Sequence, residues 1–204
     1  MKVGVIGLGS MGMGAALSLL RAGHEVTGCD MRASARDEFA AAGGGVAATG
    51  AELPQGTEAV VVLVVNAAQT EAALFGEGGA APRLAPGAVI LSSATMGPDA
   101  ARALADKAQE RQLLFLDAPV SGGAVKARSG EMTVMASGSA AAFGAAEPVL
   151  GAIATKVWHL GEEPGIGATV KVVHQLLAGV HIAVAAEAMA LGIRAGADPQ
   201  QLYD

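Results

Sequence analysis

Residues 59 to 65 read AVVVLVV, seven apolar side chains with no polar one among them. Successive side chains of a strand point to opposite faces, so this run has no face to offer water. Its β-branched residues suit a pleated surface, and the run therefore predicts a strand at the centre of a sheet covered on both sides. Such sheets are parallel and need helical crossovers, which the surrounding chain supplies. Lys2 to Ile6 and Glu25 to Asp30 read as further strands, with helices at Met11 to Ala22 and Ala33 to Ala42 stopped by Gly23 and by the GGG at 43–45. Gly87 to Ser93 and Leu113 to Pro119 read as strands around a helix at Asp99 to Arg111, and MTVMAS and KVWHL flank a helix near Ala140 to Leu150.

Strands alternating with helices in this way predict an α/β fold of the Rossmann type, a doubly wound, mostly parallel sheet. No strand is expected after His159. The stretch from Gly165 to Gly196 predicts one long helix, and Asp198 with Pro199 reads as the cap and first turn of another. Residues 1–164 are thus expected to form one domain. Residues 165–204 are expected to be an inter-domain helix opening a truncated all-α second domain, in a chain that is itself incomplete.

Composition removes several classes of partner. A formal net charge of -6 and 3% aromatic content disfavour nucleic acid, whose phosphates call for Lys and Arg and whose bases stack on rings. Cys29 is the only cysteine, so no intramolecular disulfide and no thiolate metal site is expected, and its expected role is that of a small buried strand residue. No signal peptide is read at the N-terminus, and a cytoplasmic location is expected. Leu176 to Ile193 is apolar, but His181 and Glu187 interrupt it, and both are costly in lipid. A helix buried by protein on most sides is expected there, with no membrane partner.

The chemistry begins at GLGSMG, residues 7–12, which places Gly7, Gly9 and Gly12 between a buried strand and a helix, with Asp30 closing the next strand. In that setting Gly7 permits a tight turn, Gly9 admits a pyrophosphate to the backbone, and Gly12 lets the helix pack closely on the strand. Leu8, Ser10 and Met11 complete the expected dinucleotide turn. Asp30 is expected to accept the adenosine ribose hydroxyls and to repel a 2′-phosphate, favouring NAD over NADP. Met31 and Arg32 follow it, and the Arg32 guanidinium is the one feature that would suit NADP. Two later strand ends should line the same crevice, one giving Val65 and Asn66 and the other Ser93 and Thr95. Asn66 and Thr95 are the candidate cofactor contacts, each with a plain helix N-cap as the alternative.

GVIGLGSMGMGAALSLLRAGHEV, DAPVSGG and GATVKVV, in this order along the whole chain, resemble the β-hydroxyacid dehydrogenase family, which includes 3-hydroxyisobutyrate dehydrogenase and tartronate semialdehyde reductase. The resemblance implies that Ser121, Gly122 and Gly123 hold a substrate carboxylate. Convergent hydroxyl and unshielded backbone N–H donors suit that group. It also implies that Lys171 is the catalytic acid and base, a role that a lysine desolvated on an apolar helix can fill. The family commonly has asparagine three or four residues after that lysine. This chain has His174 and Gln175, which become candidate substrate contacts.

VVLVVNAAQTEAALFG, LSSATM and QLLAGVHIAVAAEAMALG look most like the L-threonate dehydrogenase branch. The implied reaction is NAD-dependent oxidation of L-threonate to its 2-oxo acid. Alternatives are activity on 3-hydroxyisobutyrate or tartronate semialdehyde, or a non-catalytic dinucleotide-binding module, against which the presence of Lys171 argues. The resemblance further implies a helical domain that closes over the substrate and builds a homodimer or homotetramer. Without that domain, cofactor binding without normal turnover is expected.

Overall fold

The computed structural model describes residues Met1–Asp204. Its first half alternates as the sequence predicts: β1 (Lys2–Ile6), α1 (Ser10–Arg21), β2 (Glu25–Cys29), α2 (Ala33–Ala41), β3 (Gly45–Ala47), β4 (Thr57–Val62), α3 (Ala67–Phe75), β5 (Leu84–Ser92), α4 (Pro98–Gln109) and β6 (Leu114–Asp117). These strands form one parallel sheet in the order β3-β2-β1-β4-β5-β6. The chain reverses direction across the sheet between β1 and β4, which opens a crevice at their carboxyl ends.

The valine run is where the sequence puts it, between β1 and β5. Ala59 and Val61 belong to one apolar cluster, with α1, α2 and α6 residues, while Val60 and Val62 belong to the other, with α4 residues. All four are fully buried, as two-faced burial requires. The strand stops at Val62 rather than Val65. Beyond it the backbone peels away from the sheet, and Leu63 to Val65 line the crevice instead.

The second half builds a smaller sheet from β7 (Val120–Ser121), β8 (Met132–Ala136) and β9 (Ala154–His159), with α5 (Gly123–Ser129) between the first two strands and α6 (Ala140–Ile153) between the last two. β7 runs antiparallel to β8, and β9 parallel to it. A single bridge from Asp117 to Ser137 joins this sheet to the larger one.

Four elements have no range in the sequence reading: β3, α3, β7 and α5. The three-residue β3 is too short to show a period. The helix α5 lies where a loop is expected, and it is held on α1 from outside: a Cβ at Gly14 would fall 2.6 Å from the Ala127 carbonyl carbon, and the Ser18 hydroxyl donates to the Ala127 carbonyl at 3.1 Å. Contact between helices, not local propensity, makes this helix.

The long helix is α7 (Ile166–Arg194), followed by α8 (Pro199–Tyr203), which Asp198 caps. One expectation about α7 is overturned. Leu176 to Ile193 is not buried by protein on most sides: Leu176, Ile182 and Leu191 are 66%, 71% and 70% exposed. Only Gly167, Ala168 and Lys171 of α7 are buried, because the sheet and α4 meet its first turns alone and α8 touches it near Gly192. By length and composition this helix is apolar enough to cross a membrane.

Phe39 is fully buried, and its ring lies over Gly28 and Gly44, where a Cβ would overlap it. Phe39→Ala is expected to destabilise the fold by about 3–5 kcal/mol, read as a lower urea midpoint in far-ultraviolet circular dichroism.

Candidate active site

The glycine turn after β1 has three distinct local demands. Gly7 sits at φ 92°, a left-handed conformation that excludes most side chains. A Cβ at Gly12 would fall 1.7 Å from the Gly7 carbonyl oxygen, so α1 can approach the turn only through a glycine. A Cβ at Gly9 would meet nothing within 4 Å. That open side, with Gly9 as the N-cap of α1 and no side chain capping its N–H groups, is what an anion such as a pyrophosphate requires.

Asp30 ends β2 beside this turn, and its carboxylate accepts from the Leu8 N–H at 2.8 Å and the Arg32 N–H at 2.9 Å. The Arg32 guanidinium also pairs with both carboxylate oxygens at 3.1 Å and donates to the Leu8 carbonyl at 3.2 Å. Partial burial pushes the Asp30 carboxyl up, but the Arg32 side chain and the N–H groups of Arg32 and Leu8 outweigh it and hold the group below the ordinary carboxylate value. Arg32 therefore folds onto Asp30 rather than out into a loop. Met31 is 91% exposed at the rim. Cys29, just before, is buried, and burial with the nearby charges of Glu52 and Asp30 pushes its thiol up to about 11, an unreactive state.

The carboxyl ends of β4, β5 and β6 converge with α7 on a cleft of about 370 Å³. Its lining includes Met11, Val65, Thr95, Ser121, Gly122, Gly123, Lys171 and Gln175. Gly122 at φ 131° and Gly123 at φ 70° turn the backbone sharply from β7 into α5, a geometry that only glycine adopts freely. Lys171 reaches the same cleft from the second turn of α7, 6% exposed, and its Nζ donates to the Val120 carbonyl at 2.8 Å. Burial pushes its ammonium down from the ordinary lysine value, and no carboxylate stands near enough to oppose that. It is the only ionisable group in the lining.

The structure separates the paired candidates. Gln175 lies one helical turn from Lys171 and faces the cleft, whereas His174 is exposed and outside the lining. Thr95 lines the cleft and is not a cap, since Gly97 caps α4. Asn66 is exposed, outside the lining, and caps α3 by accepting from the Gln69 N–H at 2.9 Å. Leu63, Val64, Ala94 and Val120 join the lining without having been named in the sequence reading. Ser93, read from the sequence as part of a strand end on this crevice, lines it as well, and its hydroxyl is buried with no hydrogen-bond partner.

Residues 2–161 match the family model described as the NAD binding domain of 6-phosphogluconate dehydrogenase. Residues 165–204 match the one described as the NAD-binding of NADP-dependent 3-hydroxyisobutyrate dehydrogenase. The chain is 57% identical to an L-threonate dehydrogenase of Cupriavidus necator over 203 residues, covering 100% of this chain and 68% of that protein. It is 53% identical to the L-threonate dehydrogenase of Escherichia coli K12, covering 99% and 67%. The crystal structure of a 3-hydroxyisobutyrate dehydrogenase from Salmonella typhimurium superposes with a TM-score of 0.90 at 52% identity, covering 96% of this chain and 68% of that one.

The two glycines of the turn should separate binding from folding. Gly12→Ala is expected to lower stability by at least about 3 kcal/mol, the upper end of overpacking, because a backbone carbonyl cannot move aside as a side chain does. Gly9→Ala is expected to leave the urea midpoint unchanged and to weaken NAD binding at least about tenfold in calorimetric titration, by blocking close approach of the pyrophosphate.

Proposed function

This chain belongs to the β-hydroxyacid dehydrogenase family related to 3-hydroxyisobutyrate dehydrogenase, and from that premise we propose that it oxidises L-threonate to the 2-oxo acid, with Lys171 as acid and base. The family's chemistry is that of NAD(P)-dependent hydroxy-acid dehydrogenases, and the chain is an enzyme of that kind. The observation that carries the finer reading is the single cleft shared by a buried, unpaired lysine and the Ser121 to Gly123 turn. When bound, NAD supplies the hydride acceptor. Gly7 to Gly12 would hold its pyrophosphate, Met11, Val65 and Thr95 would contact it from the cleft lining, and Asp30 would accept its ribose hydroxyls in place of the Arg32 guanidinium.

Ser121, through its hydroxyl, and Gly122 and Gly123, through their N–H groups, hold the substrate carboxylate. Neutral Lys171 then takes the proton of the C2 hydroxyl as the hydride leaves C2, and gives it back in the reverse direction. Gln175, on the same face of α7, offers an amide to a hydroxyl farther along a four-carbon chain. His174 has no such access, and we assign it no contact. NAD is preferred over NADP because the Asp30 carboxylate stands where a 2′-phosphate would go. Support for L-threonate comes from the relatives above 50% identity that bear that name, while the Salmonella structure's name keeps 3-hydroxyisobutyrate as the second substrate to assay.

In this reading residues 1–164 are the NAD-binding domain, and residues 165–204 the inter-domain helix and the helical part after it. The exposed apolar face of α7 pairs copies of the chain as a homodimer or homotetramer in the cytoplasm. Neither membrane nor nucleic acid is a partner.

In the full-length protein, L-threonate and NAD should yield NADH absorbance, and Lys171→Ala should lower kcat by about 100-fold to 10,000-fold, the usual worth of a general base, with NAD affinity retained. A marked preference for 3-hydroxyisobutyrate in the same assay would replace the substrate assignment. Because the neutral amine is the base, oxidation should speed up as pH rises and reduction should slow. Both limbs should fall below the ordinary lysine value of 10.5, since burial lowers the Lys171 pKa.

A further inference from the structure

Lys171 can work only where α7 holds it, and α7 has no N-cap of its own. Its N-cap position is Gly165, at φ 100° and without a side chain to accept from the first turn. Those N–H groups are buried, and left unpaired they would oppose docking of the helix. Three of them are taken by two residues from the sheets. Asp117, the last residue of β6, accepts from Gly165 at 2.9 Å and from Ala168 at 2.8 Å. Ser137, just past β8, accepts from Gly167 at 2.9 Å and donates its own proton to Asp117 at 3.4 Å. All three donors to Asp117 reach the same oxygen, Oδ2, which is therefore unprotonated. Asp117 is 1% exposed and Ser137 fully buried.

We propose that Asp117, seconded by Ser137, is a positioning residue for the reaction: it caps α7 from the sheet and thereby sets where the Lys171 amine stands in the cleft. The proposal rests on the acid and base role of Lys171. Within this chain no residue of α7 past Lys171 is buried, so the cap and the packing of the first turns are what seat the helix on the sheets. Gly167 allows no compensating side chain, since a Cβ there would fall 2.5 Å from the Met135 carbonyl oxygen and 2.9 Å from that of Asp117. Six residues separate Gly165 from Lys171, roughly 9 Å of helix rise, so a tilt of about 10° at the cap moves the Lys171 backbone by roughly 1.5 Å. Misplacement on the order of 1 Å lowers catalytic rates about 100-fold. An acidic side chain suits this place because one of its oxygens can accept all three bonds at once. Burial pushes the Asp117 carboxyl up from its ordinary value, and the N–H groups of Ala168 and Gly165 and the Ser137 hydroxyl pull against it.

The test follows Lys171 directly. The chain has five lysines, Lys2, Lys107, Lys126, Lys156 and Lys171, and only Lys171 is buried. Labelling with ε-13C-lysine gives five resonances, with that of Lys171 identified by its loss in Lys171→Arg. No other ionisable group lines the cleft. The nearest to consider are His174 on α7 itself, Lys126 on α5, whose stem lies against Gly122, and Asp117, so the titration reports how dry the lysine is kept. In the wild type the Lys171 resonance should titrate below the ordinary lysine value of 10.5. In Asp117→Asn its midpoint should move up toward that value, kcat should fall about 100-fold, and NAD affinity should stay within about threefold because the glycine turn is a separate site.

Ser137→Ala, which keeps the carboxylate, should give a smaller change in the same direction. An unchanged Lys171 midpoint with kcat within twofold in a folded Asp117→Asn would overturn the proposal, as would an unchanged midpoint in Ser137→Ala if the asparagine variant does not fold. Should the wild type turn over no hydroxy acid, the functional reading fails, and the Lys171 midpoint still decides the positioning role.

Discussion

One residue pair holds the two halves of this protein in register. Asp117 and Ser137 exchange backbone hydrogen bonds at 3.0 and 2.9 Å, joining the six-stranded sheet to the three-stranded one. Their side chains receive the first turn of the long helix in the same place. Strand pairing at the junction and helix docking on it are thus one arrangement, and the cleft is the space left between them. The loop that turns from β6 through β7 into α5 has to pass this junction, which brings Ser121 to Gly123 opposite Lys171.

The cleft is electrostatically spare. A lysine without a carboxylate partner, in walls that carry no other ionisable group, has its affinity for a proton lowered by desolvation, while its amine rests on one carbonyl. The other end of the crevice is built on the opposite plan, with a carboxylate held charged by a guanidinium and two N–H groups. A single fold uses dryness at one end and solvated pairing at the other, because the two ends are made by different strands of one sheet.

What the sequence made legible are the features with a local cause. A run of valines can only be central, a glycine beside a carbonyl can only be a glycine, and both appear where the pattern puts them. Features that depend on another element escaped it. Gly14 in α1 explains α5, yet nothing in residues 123–129 announces a helix. Asn66 reads equally as a cap and as a ligand, and the hydrogen bond from the Gln69 N–H to its oxygen is visible only in the fold. Asp117 reads as the end of a strand, since its helix lies 48 residues away along the chain. The burial of Leu176 to Ile193 was misjudged because apolar composition states what a helix avoids, not whether the same chain provides cover.

That exposure separates two properties that usually travel together. A side chain that meets water in both the folded and the unfolded chain changes little in free energy between them, so the apolar face of α7 adds little to the stability of residues 1–204 taken alone. Its apolar surface instead governs how the folded molecule meets other surfaces. What holds residues 1–204 together is thus written into the sheets and their flanking helices, and what they can associate with is written into a rod of which, within this chain, only the first turns are seated.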